Sequence, residues 1–478
     1  MTRNRFSPVR RIGTLAAAGL LGLVAGCAVG PDYKRPDTKP PAAFKNAGAA
    51  TTDAGVLSDS WWTLYGDKEL SGYCEELLKA NTDIRAAMAR VDQAHASKLS
   101  AGSSFFPSLA AEPNMRRSRA TSSLTGKATT SNTYSLPLDL NYEADIWGRL
   151  RRQYEYYHNL EAASAEDLAV VRQTALAELA QDYFTLRLCD AQTEILTNAV
   201  DLYNQELAFT KTKKNAGLAS QSDVLTVQNQ VDQAKTQLIE IRRTRAKQEN
   251  AIAILLSRDP SGFSVAPHQR QILVPKPPAG LPATLLDRRP DVREAEHRLA
   301  AANAEIGIAE ANFLPTFSLT GSAGYQNSST NDLTAWRNRV WSISPGLNLP
   351  IFEGGKLRAG YKGAKASYAE ALANYEKAVL GAYGDVENGL SDIRLLAEEI
   401  DAYTVTETSA SENLRLVRML YDQGLASSLQ LITANQNLLT ARMSKASAEN
   451  QRLAATVLLI KALGGGWTPD NAKSTNSK

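Results

Sequence analysis

The sequence predicts a mainly α-helical fold with a β-barrel portion, built from a unit of two strands and a long helical hairpin that occurs twice. Three observations carry this prediction. Segment 83–107 recurs without a gap at 291–315, long heptad-patterned stretches follow each copy, and the short stretches between alternate apolar with polar side chains.

The repeat is explicit. Asp83, Arg85, Ala87, Arg90, Ala94, Ala96, Phe105 and Pro107 align with Asp291, Arg293, Ala295, Arg298, Ala302, Ala304, Phe313 and Pro315. After a slip of one residue, Ser135, Leu140, Asn141, Gly148, Leu150 and Arg151 match Ser342, Leu347, Asn348, Gly355, Leu357 and Arg358, and Gly217-Leu218-Ala219-Ser220 matches Gly424-Leu425-Ala426-Ser427. The period far exceeds the roughly 20 to 50 residues of solenoid repeats, so one large unit is duplicated once.

Residues 1–26 read as a signal peptide: Arg3, Arg5, Arg10 and Arg11 with no acidic residue, then an apolar run from Ile12 to Ala25 and small residues before Cys27. Without those four arginines, the 53 basic side chains fall to 49 against 50 acidic ones. A nearly neutral mature chain argues against nucleic acid as a partner. Val24-Ala25-Gly26-Cys27 resembles the bacterial lipobox, which makes Cys27 the candidate lipidation site and its covalent lipid the only expected non-protein group. Ala28 in the next position is, by the same resemblance, compatible with sorting to the outer membrane. Residues 27–60, with Pro31, Pro36, Pro40 and Pro41, then form an extended, lipid-anchored tether.

The first repeat covers 61–256: a helix, strands at 105–119 and 134–145, and a coiled-coil hairpin at 149–256. Between Leu160 and Asn215 there is neither Pro nor Gly, and Val224, Val227, Val231, Ala234, Leu238 and Ile241 form a heptad seam after the Gly217 turn. A continuous helix from Gly148 to Asn215 would be on the order of 100 Å long at about 1.5 Å per residue. Cys74 and Cys189 fall in helical segments; in an exported chain they could pair, but nothing in their spacing demands it, and free, packed thiols are the favoured reading. Residues 257–282 link the halves. The second repeat, 283–465, has strands at 313–326 and 338–350 and a hairpin at 356–463 with its seam at Leu431, Ala434, Leu438 and Ala441; 466–478 is a tail.

The strands alternate. Tyr134, Leu136, Leu138, Leu140 and Tyr142 oppose Ser135, Pro137, Asp139, Asn141 and Glu143, and Trp341, Ile343, Pro345, Leu347 and Leu349 do the same in the second half. Phe317, Leu319, Ala323 and Tyr325 make a third such strand, and the one around 108–119 is weaker. Polar loops, Thr121 to Thr133 and Gln326 to Thr334, join each pair. Pro113, Pro137 and Pro345 fit central strands badly, because each removes a ladder donor. An exported chain without a spanning helix can cross a bilayer only as a closed barrel, and four strands cannot close one with an interior. Spanning strands therefore require several chains to share one barrel; for the strands the alternative is a soluble antiparallel sheet packed on a helix layer, and for the chain as a whole a lipid-anchored periplasmic coiled-coil adaptor or scaffold that does not span the membrane.

The motifs Leu281-Pro282, Leu285 to Arg293, Ala309 to Leu319, Asn141 to Leu150, Leu349 to Gly355, Tyr421 to Gly424 and Ala462 to Trp467 occur in an order that resembles the TolC-like outer-membrane efflux channels, in their lipoprotein (NodT- or OprM-type) branch. The resemblance covers essentially the whole mature chain. It implies a homotrimer whose twelve-stranded outer-membrane barrel continues as a periplasmic α-barrel, with an equatorial belt holding the tether, the 257–282 linker and the tail. It further implies the exit duct of a tripartite pump, partnered by a periplasmic adaptor and an RND-type inner-membrane transporter, that is, a conduit and not an enzyme.

On that reading the turns Gly217, Leu218, Ala219, Ser220 and Gly424, Leu425, Ala426, Ser427 are the periplasmic tips that dock the adaptor. Asp422 and Asp223 beside them could form acidic gate rings on a threefold axis, or could cap helices on a solvated surface. No catalytic constellation is present. His95, His158, His268 and His297 lack metal-ligand spacing, and Gly464-Gly465-Gly466 lacks the Lys and Ser/Thr of a phosphate loop.

Overall fold

The computed structural model describes residues 28–38, 40–41, 43–46, 58–121, 126–268, 272–275 and 287–465. Cys27, the signal peptide and the tail lie outside them. The fold falls into two compact units. One takes in Met1–Asp37, Arg90–Ser164 and Ala295–Tyr375; the other takes in Thr38–Ala89, Ala165–Glu294 and Glu376–Lys478.

Seven helices are named here: α1 Lys68–Ala80, α2 Thr82–Ser103, α3 Arg149–Asn215, α4 Gln221–Leu255, α5 Pro290–Ala311, α6 Lys356–Asp422 and α7 Ser428–Ala462. The duplication is visible in their lengths. Helices α2 and α5 each have 22 residues, α3 and α6 each have 67, and α4 and α7 each have 35. No described helix is long and apolar enough to cross a membrane.

The first unit holds an antiparallel sheet of β1 Ser108–Ala111, β2 Asn114–Thr121, β3 Ala128–Ala144, β4 Thr316–Asn327 and β5 Arg339–Asn348. Its order is β1-β3-β4-β5, with β2 also on β3. Two expectations need correction. The strand expected at 105–119 is two strands, interrupted at Glu112-Pro113. Pairing before the gap, Ala111 with Leu138, and after it, Asn114 with Ser135, keeps one register, so Glu112 lies level with Pro137 and Pro113 level with Leu136. Two prolines, each without an N–H, remove the ladder there without shifting it. β1 and β2 thus fill one strand position, and four positions remain. The strand expected to begin at 134 begins at Ala128, so 128–133 of the loop expected from Thr121 to Thr133 belong to the strand. The Ser/Thr run that looked like loop pairs with β2 instead, and the hydroxyls of Ser118 and Ser131 meet at 3.4 Å.

The second unit is organised around a buried cluster. Trp61, Trp62, Tyr65, Leu70, Cys74, Leu77 and Ile84 pack against Leu176, Leu179, Tyr183, Phe184 and Leu186 of α3, together with Ile252, Leu256, Val457 and Ile460. Each such Leu or Ile contributes about 1.5–3 kcal/mol, which fixes the segment before α2 against the long helices. Asp67 caps α1, accepting from the amides of Glu69 and Leu70, and Asn81 caps α2 while its amide donates to the Leu255 carbonyl at 2.8 Å. The linker is pinned by arginines. Arg187 donates to Glu69, Asp190 and the Ala266 carbonyl, and Arg245 donates to Asp190 and the Val265 carbonyl. Cys74 and Cys189 are free and buried, and burial pushes the Cys189 thiol up to about 11.

Candidate functional site

Three places in the structure carry functional meaning. The first is the sheet. Register places Leu109, Leu140, Gly321 and Ile343 on one face, with Ala111, Leu138, Ala323 and Trp341 in the next row and Ala144, Phe317 and Leu347 at one end. The opposite face carries Ser108, Asn141, Thr320 and Ser344, then Ala110, Asp139, Ser322 and Ser342. The apolar face is open: Trp341 is 75% exposed and Ile343 67%. A contiguous exposed face of this kind marks an interface with lipid or protein. Among the described residues neither the β1/β2 edge nor the β5 edge has a partner strand.

The second place is the tether directly after Cys27. The Val29 amide donates to the Trp147 carbonyl at 2.9 Å. Arg152, almost wholly buried, donates to the carbonyls of Val29 and Gly30 and to Asp32 at 2.7 Å; desolvation by burial, the largest influence, lowers its pKa, but the carboxylates of Asp32 and Glu155 together outweigh it and raise it. Asn303 of α5 donates to the Pro31 carbonyl at 2.7 Å, and Arg35 pairs with Glu296 at 3.2 Å. The fit leaves no spare room, because a Cβ at Gly148 would stand 2.7 Å from Ala28 Cα. Residue 28 is thereby held at the junction where β3 gives way to α3. The Trp147 indole ties this junction to the other repeat by donating to the Pro315 carbonyl at 2.8 Å.

The third place is the pair of helical turns. Both use the same capping grammar. α3 ends with the Gly217 amide on the Lys214 carbonyl and the Leu218 amide on the Lys213 carbonyl; α6 ends with Gly424 on Tyr421 and Leu425 on Leu420. These are Schellman closures, with Gly217 at φ 78° and Gly424 at φ 77°, the left-handed conformation that glycine adopts without steric penalty. Ser220 and Ser427 then open α4 and α7 in capping boxes with Asp223 and Gln430, each cap worth about 1 kcal/mol. Leu218 and Leu425 project outward, 77% and 73% exposed. Asp223 spends its carboxylate on the Ser220 amide and hydroxyl, and those hydrogen bonds lower its pKa. Asp422, in the last turn of α6, is exposed.

Beside the turns lies a cluster that the sequence did not single out. Lys213 Nζ sits 4.6 Å from the Phe209 ring centroid and 4.0 Å from that of Tyr421, and the two rings meet edge to face at 6.1 Å. Burial, with a hydrogen bond to the Glu206 carboxylate, pushes the Tyr421 hydroxyl up to about 12. The spacing of Phe209 and Lys213, one helical turn apart just before the Gly217 stop, is the signal that could have found it. Beneath, the predicted seam is buried: Val224, Val227, Val231 and Ala234 of α4 pack with Tyr203, Leu207 and Ile432, and Leu238 is buried as well.

No group of His, Cys, Asp and Glu among the described residues could hold a metal ion. His95 contacts Glu161, and His268 lies 3.7 Å from Glu69. The Gly464 and Gly465 amides close α7 by donating hydrogen bonds to the carbonyls of Lys461 and Ile460.

Comparison with known proteins agrees with this division of the molecule. The family model described as Outer membrane efflux protein matches residues 74–258 and again 281–465, one match per repeat. The toluene efflux pump outer membrane protein TtgC of Pseudomonas putida is 30% identical over 454 residues, covering 93% of this chain and 94% of that protein. The outer membrane protein OprJ of Pseudomonas aeruginosa is 31% identical over 466 residues, covering 94% and 95%. The solved outer-membrane channel OprN superposes with a TM-score of 0.88 at 30% identity, over 93% of this chain and all of that one. On these grounds the chain belongs to the outer membrane efflux protein family, as an outer-membrane channel component of efflux pumps.

Proposed function

We propose that three copies of this chain form the exit duct of a tripartite efflux pump, each lending four strand positions to one twelve-stranded outer-membrane barrel. The observation that carries this is the sheet: one face apolar and exposed, the other polar, and both edges open. In lipid an unpaired edge would leave its N–H and C=O groups without partners at several kcal/mol each, so the β1/β2 edge of one copy must meet the β5 edge of the next. The polar face then lines the conduit.

Cys27 carries the covalent lipid. Its neighbour Ala28 is fixed at the junction of sheet and helices, the level at which an acyl chain can enter the membrane, at about 0.8 kcal/mol for each CH₂ buried. The long hairpins extend into the periplasm, where the turns Gly217 to Ser220 and Gly424 to Ser427 present Leu218 and Leu425 to the hairpins of a periplasmic adaptor, itself coupled to an RND-type inner-membrane transporter. The duct performs no chemistry on its cargo of small molecules. Of the two acidic candidates for a threefold ring at the tip, Asp422 is favoured, since the carboxylate of Asp223 is engaged in its own helix cap. TtgC is named for toluene; a small apolar solvent is one cargo to try, although the transporter governs the choice.

The test is single-channel conductance of the detergent-extracted protein in a planar bilayer, with its mass measured in solution. Discrete steps from a trimer-sized particle are expected. A monomer without conductance overturns the shared barrel.

A further inference from the structure

Beyond the apolar band, the outward face of the sheet ends in arginines. On that face the β3 side chains from Ala144 to Tyr134 are apolar or aromatic, and their roughly ten steps of about 3.3 Å at a tilt near 40° cover about 25 Å, the height of a lipid-facing band; the last two rows also hold Arg339, level with Leu136 and Tyr325, and Asn327, level with Tyr134. Trp341, Tyr325 and Tyr134 mark its end away from the helices. On this face Arg339 is paired with Tyr325, and past Met115 come Arg117 and Arg119, in register with Asn132 and Thr130. Arg339 lies 3.7 Å over the Trp336 ring, which is itself exposed. Among the described residues none of these three guanidinium groups has a carboxylate partner. At the opposite end of the sheet Arg149 is paired with Glu143 at 2.7 Å and Arg151 with Asp145 at 3.1 Å.

We infer that Arg117, Arg119 and Arg339 form a cationic rim that binds the phosphate groups of the phosphorylated glycolipid in the outer leaflet. This rests on the proposed barrel, whose closure would also bring the β2 edge of one copy beside the β5 edge of the next and gather the three side chains into one cluster per interface. Three features support the ligand class. The guanidinium fork matches phosphate oxygens two at a time; Arg117 and Arg119 lie past the aromatic girdle and Arg339 level with it, at headgroup depth; and their charge is left uncompensated. Arg116, in register with Thr133, falls on the polar face and is excluded from the rim.

The experiment is native mass spectrometry of the assembled protein with bisphosphorylated lipid A and, separately, with the same lipid stripped of phosphate. Wild type should retain the phosphorylated lipid at a concentration about tenfold lower than the stripped one, a difference of about 1.4 kcal/mol. R117Q/R119Q should lose that preference, R116Q should keep it, and excess inorganic phosphate should not displace the lipid. Equal retention of both lipids by wild type, an equal loss in R116Q, or displacement by inorganic phosphate would overturn the rim. Heat-modifiable migration of the same samples reports the barrel separately: a wild-type protein that fails there overturns the membrane reading, whereas an intact barrel without lipid preference overturns only the arginine rim.

Discussion

Gly324 faces Pro137 across the β3–β4 ladder, and a Cβ at Gly324 would stand 2.1 Å from the Leu136 carbonyl oxygen and 2.7 Å from Pro137 Cα. The two strands approach so closely here that only hydrogen fits. Pro137 can occupy a central strand because its other neighbour, the β1/β2 position, is itself interrupted at Glu112, so no ladder donor is missed. Gly324→Val should therefore push β4 away from β3 and abolish the heat-modifiable oligomer on gels. Gly321→Ala, where a Cβ would meet Leu140 at an ordinary 3.8 Å, should leave it intact. An oligomer that survives Gly324→Val would show that the strands can separate there without loss.

Lys213 is expected to act as a clasp at the tips. Its ammonium lies against both Phe209 at the end of α3 and Tyr421 at the end of α6, an arrangement worth about 0.5–1 kcal/mol per ring at exposed sites. Lys213→Ala should loosen the tip and raise single-channel conductance, and Tyr421→Phe, which keeps the ring but removes the hydroxyl shared with Glu206, should do so more weakly. Unchanged conductance in both variants would assign the cluster to packing alone.

Gly424 is held at φ 77° with nothing within 4 Å of a hypothetical Cβ, so strain rather than collision opposes substitution. A β-branched residue there costs roughly 1–3 kcal/mol of local strain, which reshapes the Leu425 turn without reaching the sheet residues. Gly424→Val should abolish the drug resistance conferred by the assembled pump while leaving assembly of the protein unaltered. Full resistance would remove this turn from the docking surface.

Much of this architecture was legible from the chain because its signals are periodic. The seam from Val224 to Leu238 is buried as its heptads require, and the alternation from Tyr134 to Tyr142 lands every apolar residue on one face. Strand limits were less legible. Thr129, Thr130 and Ser131 are as suited to a loop as to a strand, and only pairing with β2 decides between them. Prolines looked disqualifying one strand at a time, and become compatible when Pro113 and Pro137 fall within the same two-residue gap. Only the Phe209 half of the Lys213 clasp was legible, from its helical-turn spacing; the Tyr421 half joins residues some 200 positions apart whose meeting depends on the duplication folding back on itself. Capping was one reading of Asp223 in the sequence, its Ser220 partner emerges only from the structure, and it is the cap that leaves Asp422 as the better candidate for a ring.

Asp182 in α3 predicts a pH dependence of stability. Desolvation by burial, reinforced by the nearby Glu178 carboxylate, raises its pKa to about 6, against about 4 in an unfolded chain. Between those values the folded protein holds a proton that the unfolded chain has released, so stability falls as pH rises. The contribution is fully present below about 4 and is lost as pH passes through about 6, where the carboxylate must ionise in its partly buried setting. Asp182→Asn removes the charge while keeping the shape. Thermal unfolding should show the variant more stable than wild type at pH 7.5 and indistinguishable from it at pH 4. A gain of equal size at both pH values would mean that packing, not ionisation, accounts for the difference.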